Sequence, residues 1–427
     1  MQRFFEESAW TAGVIGLGYV GLPLAMAAAR SGLGVVGFDV SDERAQGLGA
    51  ARSHVDDVSD ADLHFALDSG ATFVSDGAAL AEADAVFICV PSPLARNGEP
   101  DLSHIEAAAR TVAESARPGQ LISLESTTYP GTTEDYLAPA VREAGLTLDE
   151  DVWVAYSPER VSPGDEMKTG DIPKVVGGVT PESGRVAAAA YRRLAESVHL
   201  VGSARAAEMS KLLENTYRAV NIGLINEVAQ LSHKLGIDVW EIIEAAATKP
   251  FGFQPFYPGP GVGGHCIPLD PQYLAWRARA AHFATRFIET AERINSGMPE
   301  YTVERIAEFL ETAGKALSGS RILALGVAYK AGVSDDRESA AIEVARRLIA
   351  RGARVDAHDP HVGDSRIEEH GLAAVDLAAL ELYDLAVVLT DHGAIPYERI
   401  AEGVPLVFDS RGVYRRLGLD LANVQAL

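Results

Sequence analysis

Six residues constrain this chain more than any others: Gly16-Leu17-Gly18-Tyr19-Val20-Gly21. Before them runs Thr11 to Gly16, which reads as a short buried strand. After them, Leu22 to Arg30 is a run of small and apolar residues that reads as a helix. Val35-Val36-Gly37-Phe38-Asp39 then reads as a second strand ending in an acid. A GxGxxG between strand and helix is the dinucleotide fingerprint in its required context. Its glycines make the turn, admit a pyrophosphate and let the helix pack close, while the helix N-terminus supplies positive potential. Asp39 stands at the spacing expected for the ribose hydroxyls and opposes a 2′-phosphate, which favours NAD over NADP. The plainer alternative is a βα turn that happens to be glycine-rich.

The β/α alternation continues. Asp84 to Pro91 is an apolar strand whose end, Val90-Pro91, should lie over the cofactor, because ligands bind at strand C-termini in such sheets. Cys89 reads as core. Gln120 to Glu125 is the next strand and runs into Ser126-Thr127, two hydroxyls that either cap a helix beginning near Thr132 or touch a ligand. Val152 to Tyr156 leads to Ser157-Pro158-Glu159-Arg160, and Lys174 to Val179 with Val198 to Val201 completes a first domain near residue 202. Glu208 to Leu235 then reads as one long helix with Lys211 and Asn215 one turn apart and Asn226 on nearly the same face. For the first pair a solvated face and a functional face are both open. A second β/α set opens at Arg321 and has no glycine fingerprint, and its charged loop Lys330 to Glu338 follows a strand end.

Between these parts lies Gly259-Pro260-Gly261-Val262-Gly263-Gly264-His265-Cys266-Ile267-Pro268-Leu269-Asp270-Pro271. Four glycines before a thiol allow positive φ and a close approach by another molecule. The stretch reads as a rigid loop presenting a sulfur. The sulfur is either a buried structural one or a reactive thiolate, and only a low-pKa, partly exposed site gives the second.

Composition narrows the classes. The chain has 427 residues, enough for about two to three domains. Its net charge of −23 argues against nucleic acid or an anionic membrane as partner. It has no apolar run of membrane-spanning length, no signal pattern at Met1 to Trp10, and only two cysteines. A cytoplasmic protein is expected, and no metal-ligand cluster stands out.

Taken in order, GLGYVGLPLA, Ser126-Thr127, Ser157-Pro158-Glu159, Lys211 with Asn215, GGHCIPLDP, and GVAYK followed by DDRES closely resemble the UDP-glucose/GDP-mannose dehydrogenase family from residue 12 onward. The resemblance implies an α/β fold of two Rossmann-like doubly wound domains joined by a long central helix within a helical dimerisation domain. The boundaries would be 1–202 for an NAD domain, 203–317 for the central part with the Cys loop, and 318–427 for a UDP-sugar domain. It implies four-electron oxidation of a sugar C6 alcohol to the acid with two NAD in turn, through a thiohemiacetal and a thioester on Cys266. Lys211 and Asn215 would stabilise the oxyanion, Asp270 and Thr127 would order a water, and Glu159 would assist hydrolysis. Gly16, Gly18, Tyr19, Val20, Gly21, Asp39, Val90, Pro91, Ser126, Thr127 and Arg337 would hold the cofactor. Glu159, Lys211, Asn215, Phe256, Tyr257, Gly259, Gly263 and Lys330 would hold the substrate.

Leu269 stands where glucose-type members carry a lysine, and Pro163 stands where many keep a second glutamate. Both resemble the branch acting on UDP-N-acetylhexosamines, so UDP-N-acetylglucosamine is the favoured substrate, ahead of UDP-glucose or dTDP-glucose. Lys249-Pro250 lies near the place of an arginine that in some members reaches a neighbouring subunit. A homodimer or higher oligomer is expected. A two-electron hydroxyacid dehydrogenase would share the first domain and the Lys/Asn helix but needs neither the thiol nor the second β/α set. A sensor that keeps the fold without turnover would not need Cys266, Lys211, Asn215 and Asp270 together.

Overall fold

A computed structural model describes residues 1–95, 98–161, 170–264 and 266–427. Pro163 of the acid motif and His265 of the cysteine loop lie outside the described residues. The chain divides into two compact units, Met1–Glu214 with Gln272–Phe283, and Asn215–Pro271 with Ala284–Leu427.

Among the described residues the first unit is built on eight strands: β1 (Thr11–Ile15), β2 (Gly34–Phe38), β3 (Thr72–Val74), β4 (Ala85–Ile88), β5 (Gln120–Leu124), β6 (Val152–Tyr156), β7 (Lys174–Gly178) and β8 (Val198–Leu200). Their order is β3-β2-β1-β4-β5-β6-β7-β8. The first six positions are the dinucleotide-binding order, whose crevice opens between β1 and β4. The strands read as near-continuous apolar runs because helices cover both faces, and β4, β5 and β6 are buried throughout. Every pairing is parallel except one. β7 runs antiparallel to β6, with Tyr156 opposite Gly177.

The second unit carries β9 (Arg321–Leu325), β10 (Arg354–His358), β11 (Ala373–Ala374), β12 (Leu385–Val388), β13 (Val407–Asp409) and β14 (Val424–Ala426). Its order, β11-β10-β9-β12-β13-β14, repeats the same winding with every pairing parallel. The turn after β9 also repeats the first one. Gly326 has φ +80°, and a Cβ there would lie 2.3 Å from the Thr390 carbonyl oxygen.

A single helix, Ala204–Leu235, runs from the first unit into the second. It begins one turn before the expected Glu208, because the Ser203 hydroxyl accepts the Ala206 amide and caps it. Leu213, Tyr217, Leu224, Leu231 and Leu235 form an apolar stripe on it that stays exposed, from 49% to 62%. Among the described residues no helix is long and apolar enough to cross a membrane.

Candidate active site

The fingerprint loop follows β1, and its three glycines have separate causes. Gly16 has φ +86°, and a Cβ there would sit 2.7 Å from the Cys89 carbonyl at the end of β4. At Gly21, the first residue of the helix Gly21–Arg30, a Cβ would sit 2.0 Å from the Gly16 carbonyl. Gly18 has nothing within 4 Å of its Cβ position, so that side of the loop is open for a pyrophosphate. Asp39 follows β2 directly and is buried. Its carboxylate takes the Leu17 amide at 3.1 Å and the Ser41 amide at 3.0 Å, so it locks the fingerprint loop to the end of β2. Tyr19 is exposed, Val20 half-buried and Pro91 exposed. These residues fit a dinucleotide.

The Ser126 hydroxyl donates to the Val90 carbonyl at 2.7 Å, tying the end of β5 to the end of β4. It caps nothing. Thr127 is half-buried beside it. The helix expected near Thr132 is a π-helical turn, Thr133–Leu137, without a side-chain cap from its own N-cap residue. Its N-terminal amides are met instead by Glu208 of the central helix, whose buried carboxylate accepts Gly131 N at 2.5 Å and Thr133 N at 2.9 Å.

Glu159 follows β6 and is buried. One carboxylate oxygen accepts the amides of Arg160 at 2.7 Å and Val161 at 2.9 Å. The other takes the Lys174 ammonium at 3.0 Å, and the same ammonium reaches Glu125 at 2.8 Å. Burial pushes the Glu159 carboxyl up, but the Lys174 charge and the two amides outweigh it and hold it below its ordinary value. At Glu125 burial prevails over Lys174, and that carboxyl is held above its ordinary value. Lys211 is buried rather than solvated, and its ammonium donates to the Glu159 backbone carbonyl at 2.6 Å. Cys89 is core as expected, and burial pushes its thiol up.

In the second unit Cys266 lies outside any helix or strand and is exposed, which removes the alternative of a buried structural sulfur. Four residues on, the Asp270 amide donates to the Cys266 carbonyl at 2.9 Å and opens the helix Asp270–Ala280. The buried Asp270 carboxylate takes the Asn215 side-chain amide at 2.5 Å. The glycines before the thiol admit a close approach, but at Gly263 and Gly264 what approaches is the chain's own loop after β9 rather than another molecule. A Cβ at Gly263 would lie 2.7 Å from the Glu338 carbonyl, and one at Gly264, where φ is +85°, 2.7 Å from the Tyr329 ring. Burial, with Asp335 and Cys266 nearby, pushes the Tyr329 phenol up to about 12. The start of the loop is pinned as well. The Gly259 amide donates to the Asn226 side chain at 3.1 Å, and Asn226 donates to Asn295 at 2.9 Å, so Asn226 is a buried anchor.

Phe256 is half-buried against Tyr217 at 5.9 Å, and Tyr257 stacks on Trp240 at 6.0 Å with half its surface exposed. Arg337 is exposed and forks onto Asp335, and Lys330 is half-buried in the same loop. Sequence reasoning passed over Arg411, at the end of β13, whose guanidinium would be 2.7 Å from a Cβ on Gly259. It also passed over Glu208, Glu125 and Lys174, whose partners are far away in sequence. Among the described residues no group of three or more His, Cys, Asp or Glu is arranged to hold a metal ion.

Comparison with known proteins gives three consecutive matches to one family. Residues 11–195 match the NAD binding domain of the UDP-glucose/GDP-mannose dehydrogenase family, residues 205–297 its central domain, and residues 323–416 its UDP binding domain. The chain belongs to this family. It is an NAD-dependent nucleotide-sugar dehydrogenase. The UDP-N-acetyl-D-glucosamine 6-dehydrogenase of Pseudomonas aeruginosa is 34% identical over 383 residues, which is 89% of this chain and 90% of that one. Two solved structures are also close. The UDP-D-ManNAc dehydrogenase from Pyrococcus horikoshii has a TM-score of 0.87 at 34% identity, covering 97% of this chain and 98% of that one. The UDP-glucose dehydrogenase from Pyrobaculum islandicum has 0.84 at 31%, covering 97% and 96%. In this member of the UDP-glucose/GDP-mannose dehydrogenase family the NAD binding domain falls in the first unit and the UDP binding domain in the second.

Proposed function

We propose that this dehydrogenase oxidises the C6 hydroxyl of a UDP-sugar to the carboxylic acid, with UDP-N-acetylglucosamine as the substrate. NAD, held at the fingerprint loop, would supply the hydride acceptor for both oxidations, with two NAD used in turn. Cys266 adds to the C6 aldehyde carbon and holds it as a thiohemiacetal, and after the second oxidation holds it as a thioester that water cleaves. Lys211 and Asn215 donate to the oxygen that gains charge at each addition. Asp270 and Thr127 order the water. Glu159, held ionised by its partners, accepts its proton in hydrolysis. Lys330, Arg337 and Tyr257 contact the ligands.

The observation that carries this reading is the exposed Cys266 four residues before a buried Asp270 that is held by Asn215. A two-electron dehydrogenase has no use for that thiol. For the sugar, the support is the HCIPLDP and SPERVSPG forms of the two motifs, together with relatives named for N-acetylated sugars. A relative named for UDP-glucose is the second reading. The test is NADH counted per sugar over a panel of UDP- and dTDP-sugars. Two NADH per UDP-N-acetylglucosamine is expected, one overturns the four-electron chemistry, and a large kcat/KM preference for UDP-glucose overturns the sugar.

We also propose that two copies pair along the exposed stripe of the central helix. Its steps of four and seven residues are those of a helix–helix seam.

A further inference from the structure

We propose that Lys174 is a positioning residue of the active site, which fixes the side chain and, through it, the backbone of Glu159, and so sets both the hydrolytic carboxylate and the seat of Lys211. The inference rests on the reading of Glu159 and Lys211 given above.

The topology supplies the first argument. In a parallel sheet the first residue of a strand lies at the edge away from the ligands. β7 runs against β6, and continuing its register from Tyr156 opposite Gly177 brings Glu159 opposite Lys174. The reversed strand therefore delivers its first residue to the ligand-bearing edge. The Lys174 side chain is 3% exposed there, and its ammonium lies 3.0 Å from Glu159 and 2.8 Å from Glu125.

Geometry supplies the second. Lys174 holds one oxygen of Glu159 while the Arg160 and Val161 amides hold the other. With the side chain clamped at both oxygens, the peptide that follows it is fixed too. Its carbonyl is the group that accepts Lys211 at 2.6 Å. One ammonium thus orders two of the groups assigned to the chemistry. Glu125 is held in turn by the Tyr191 hydroxyl at 2.7 Å, itself 2.8 Å from Ser123. The charged and titratable groups around Glu159 are Lys174 of β7, Glu125 after β5, Lys211 of the central helix, Tyr191 of the helix Pro181–Tyr191, Cys89 after β4, and, outward, Arg160 paired with Glu214.

Energetics supply the third. Burying three charged groups is a poor way to gain stability, since apolar side chains of similar volume do as well or better. A cluster that costs desolvation at the edge where ligands bind is accounted for by what it orders.

The test is the pH dependence of kcat in the full-length enzyme with NAD and UDP-N-acetylglucosamine, or whichever UDP-sugar of the panel turns over. Lys174→Met removes the charge that keeps Glu159 ionised. The acid limb of the profile should move to higher pH by about one unit or more, while the KM for NAD stays within about twofold. Lys174→Arg should bring the limb back. If Lys174→Met does not fold, Lys174→Met/Glu125→Gln removes one of the two carboxylates left without a cation, and is read by the same criterion. A limb that stays in place, or a kcat that falls equally at every pH, overturns the proposal. Glu159→Gln separates the two levels. If that variant keeps the wild-type limb, the role given to Glu159 itself fails. If it loses the limb while Lys174→Met keeps it, only the role of Lys174 fails.

Discussion

The Asn215 side-chain amide lies 2.5 Å from the buried carboxylate of Asp270. It makes a residue of the long helix the support of an acid four positions beyond Cys266. Truncating Asn215 to alanine takes a charge-assisted partner from that acid, which costs about 1–3 kcal/mol. If the interaction serves the transition state, kcat/KM falls by roughly 10- to 100-fold, with kcat carrying most of the loss. Asn215→Asp sets two carboxylates together, which raises the pKa of one of them. Its residual activity should therefore rise, relative to wild type, as the pH is lowered. Steady-state kinetics from pH 5 to 9 checks both. An Asn215→Ala variant with unaltered kcat would reduce the pair to a structural one.

Cys266→Ala should bind NAD and UDP-sugar and make no acid. Cys266→Ser offers a weak nucleophile and, once acylated, a poor leaving group, so turnover should drop by orders of magnitude, about 10³-fold or more. Mass spectrometry of quenched enzyme looks for an adduct on residue 266 in wild type and serine variants. Acid formed by Cys266→Ala with two NADH per sugar would show that the thiol is not the nucleophile.

NADP should be a poor substitute for NAD. Asp39 is buried and already fixed by two backbone amides, so it cannot swing away from a 2′-phosphate. Arg44 stands 3.7 Å from this carboxylate. Comparing kcat/KM for the two cofactors tests the point, and equal values would refute it.

Light scattering at micromolar concentration should give at least a dimer. Leu224→Glu or Leu231→Glu puts a charge in the middle of the exposed stripe and should shift the mass toward the monomer while leaving the helix content by circular dichroism unchanged. A monomeric wild type would remove the pairing.

Much of the first unit was legible because its signals are local. The glycine spacing, the apolar runs and the acid after β2 all act within a few residues of one another. The central helix was read one turn short, from Glu208, while Ser203 caps a start at Ala204. What could not be read were side chains whose partners are brought by topology. Lys174 meets Glu159 only because β7 is reversed, and no periodicity announces strand direction. Glu208 replaces a hydroxyl cap from 75 residues away. The glycines of the cysteine loop were read as admitting another molecule, whereas Gly263 and Gly264 are closed by the chain's own Tyr329 and Glu338, which nothing in the stretch itself names.

The fingerprint glycines divide into those the chain needs for itself and one it keeps for its guest. A methyl at Gly16 or Gly21 strikes backbone at 2.7 or 2.0 Å, so these substitutions threaten folding whether or not cofactor is present. A methyl at Gly18 meets nothing of the protein. Gly18→Ala should thus melt like wild type in the absence of NAD and show far less thermal stabilisation when NAD is added. Such a subunit would be sound but idle. Mixed with wild type, it would reveal whether each copy in an assembly works alone or waits on its neighbour.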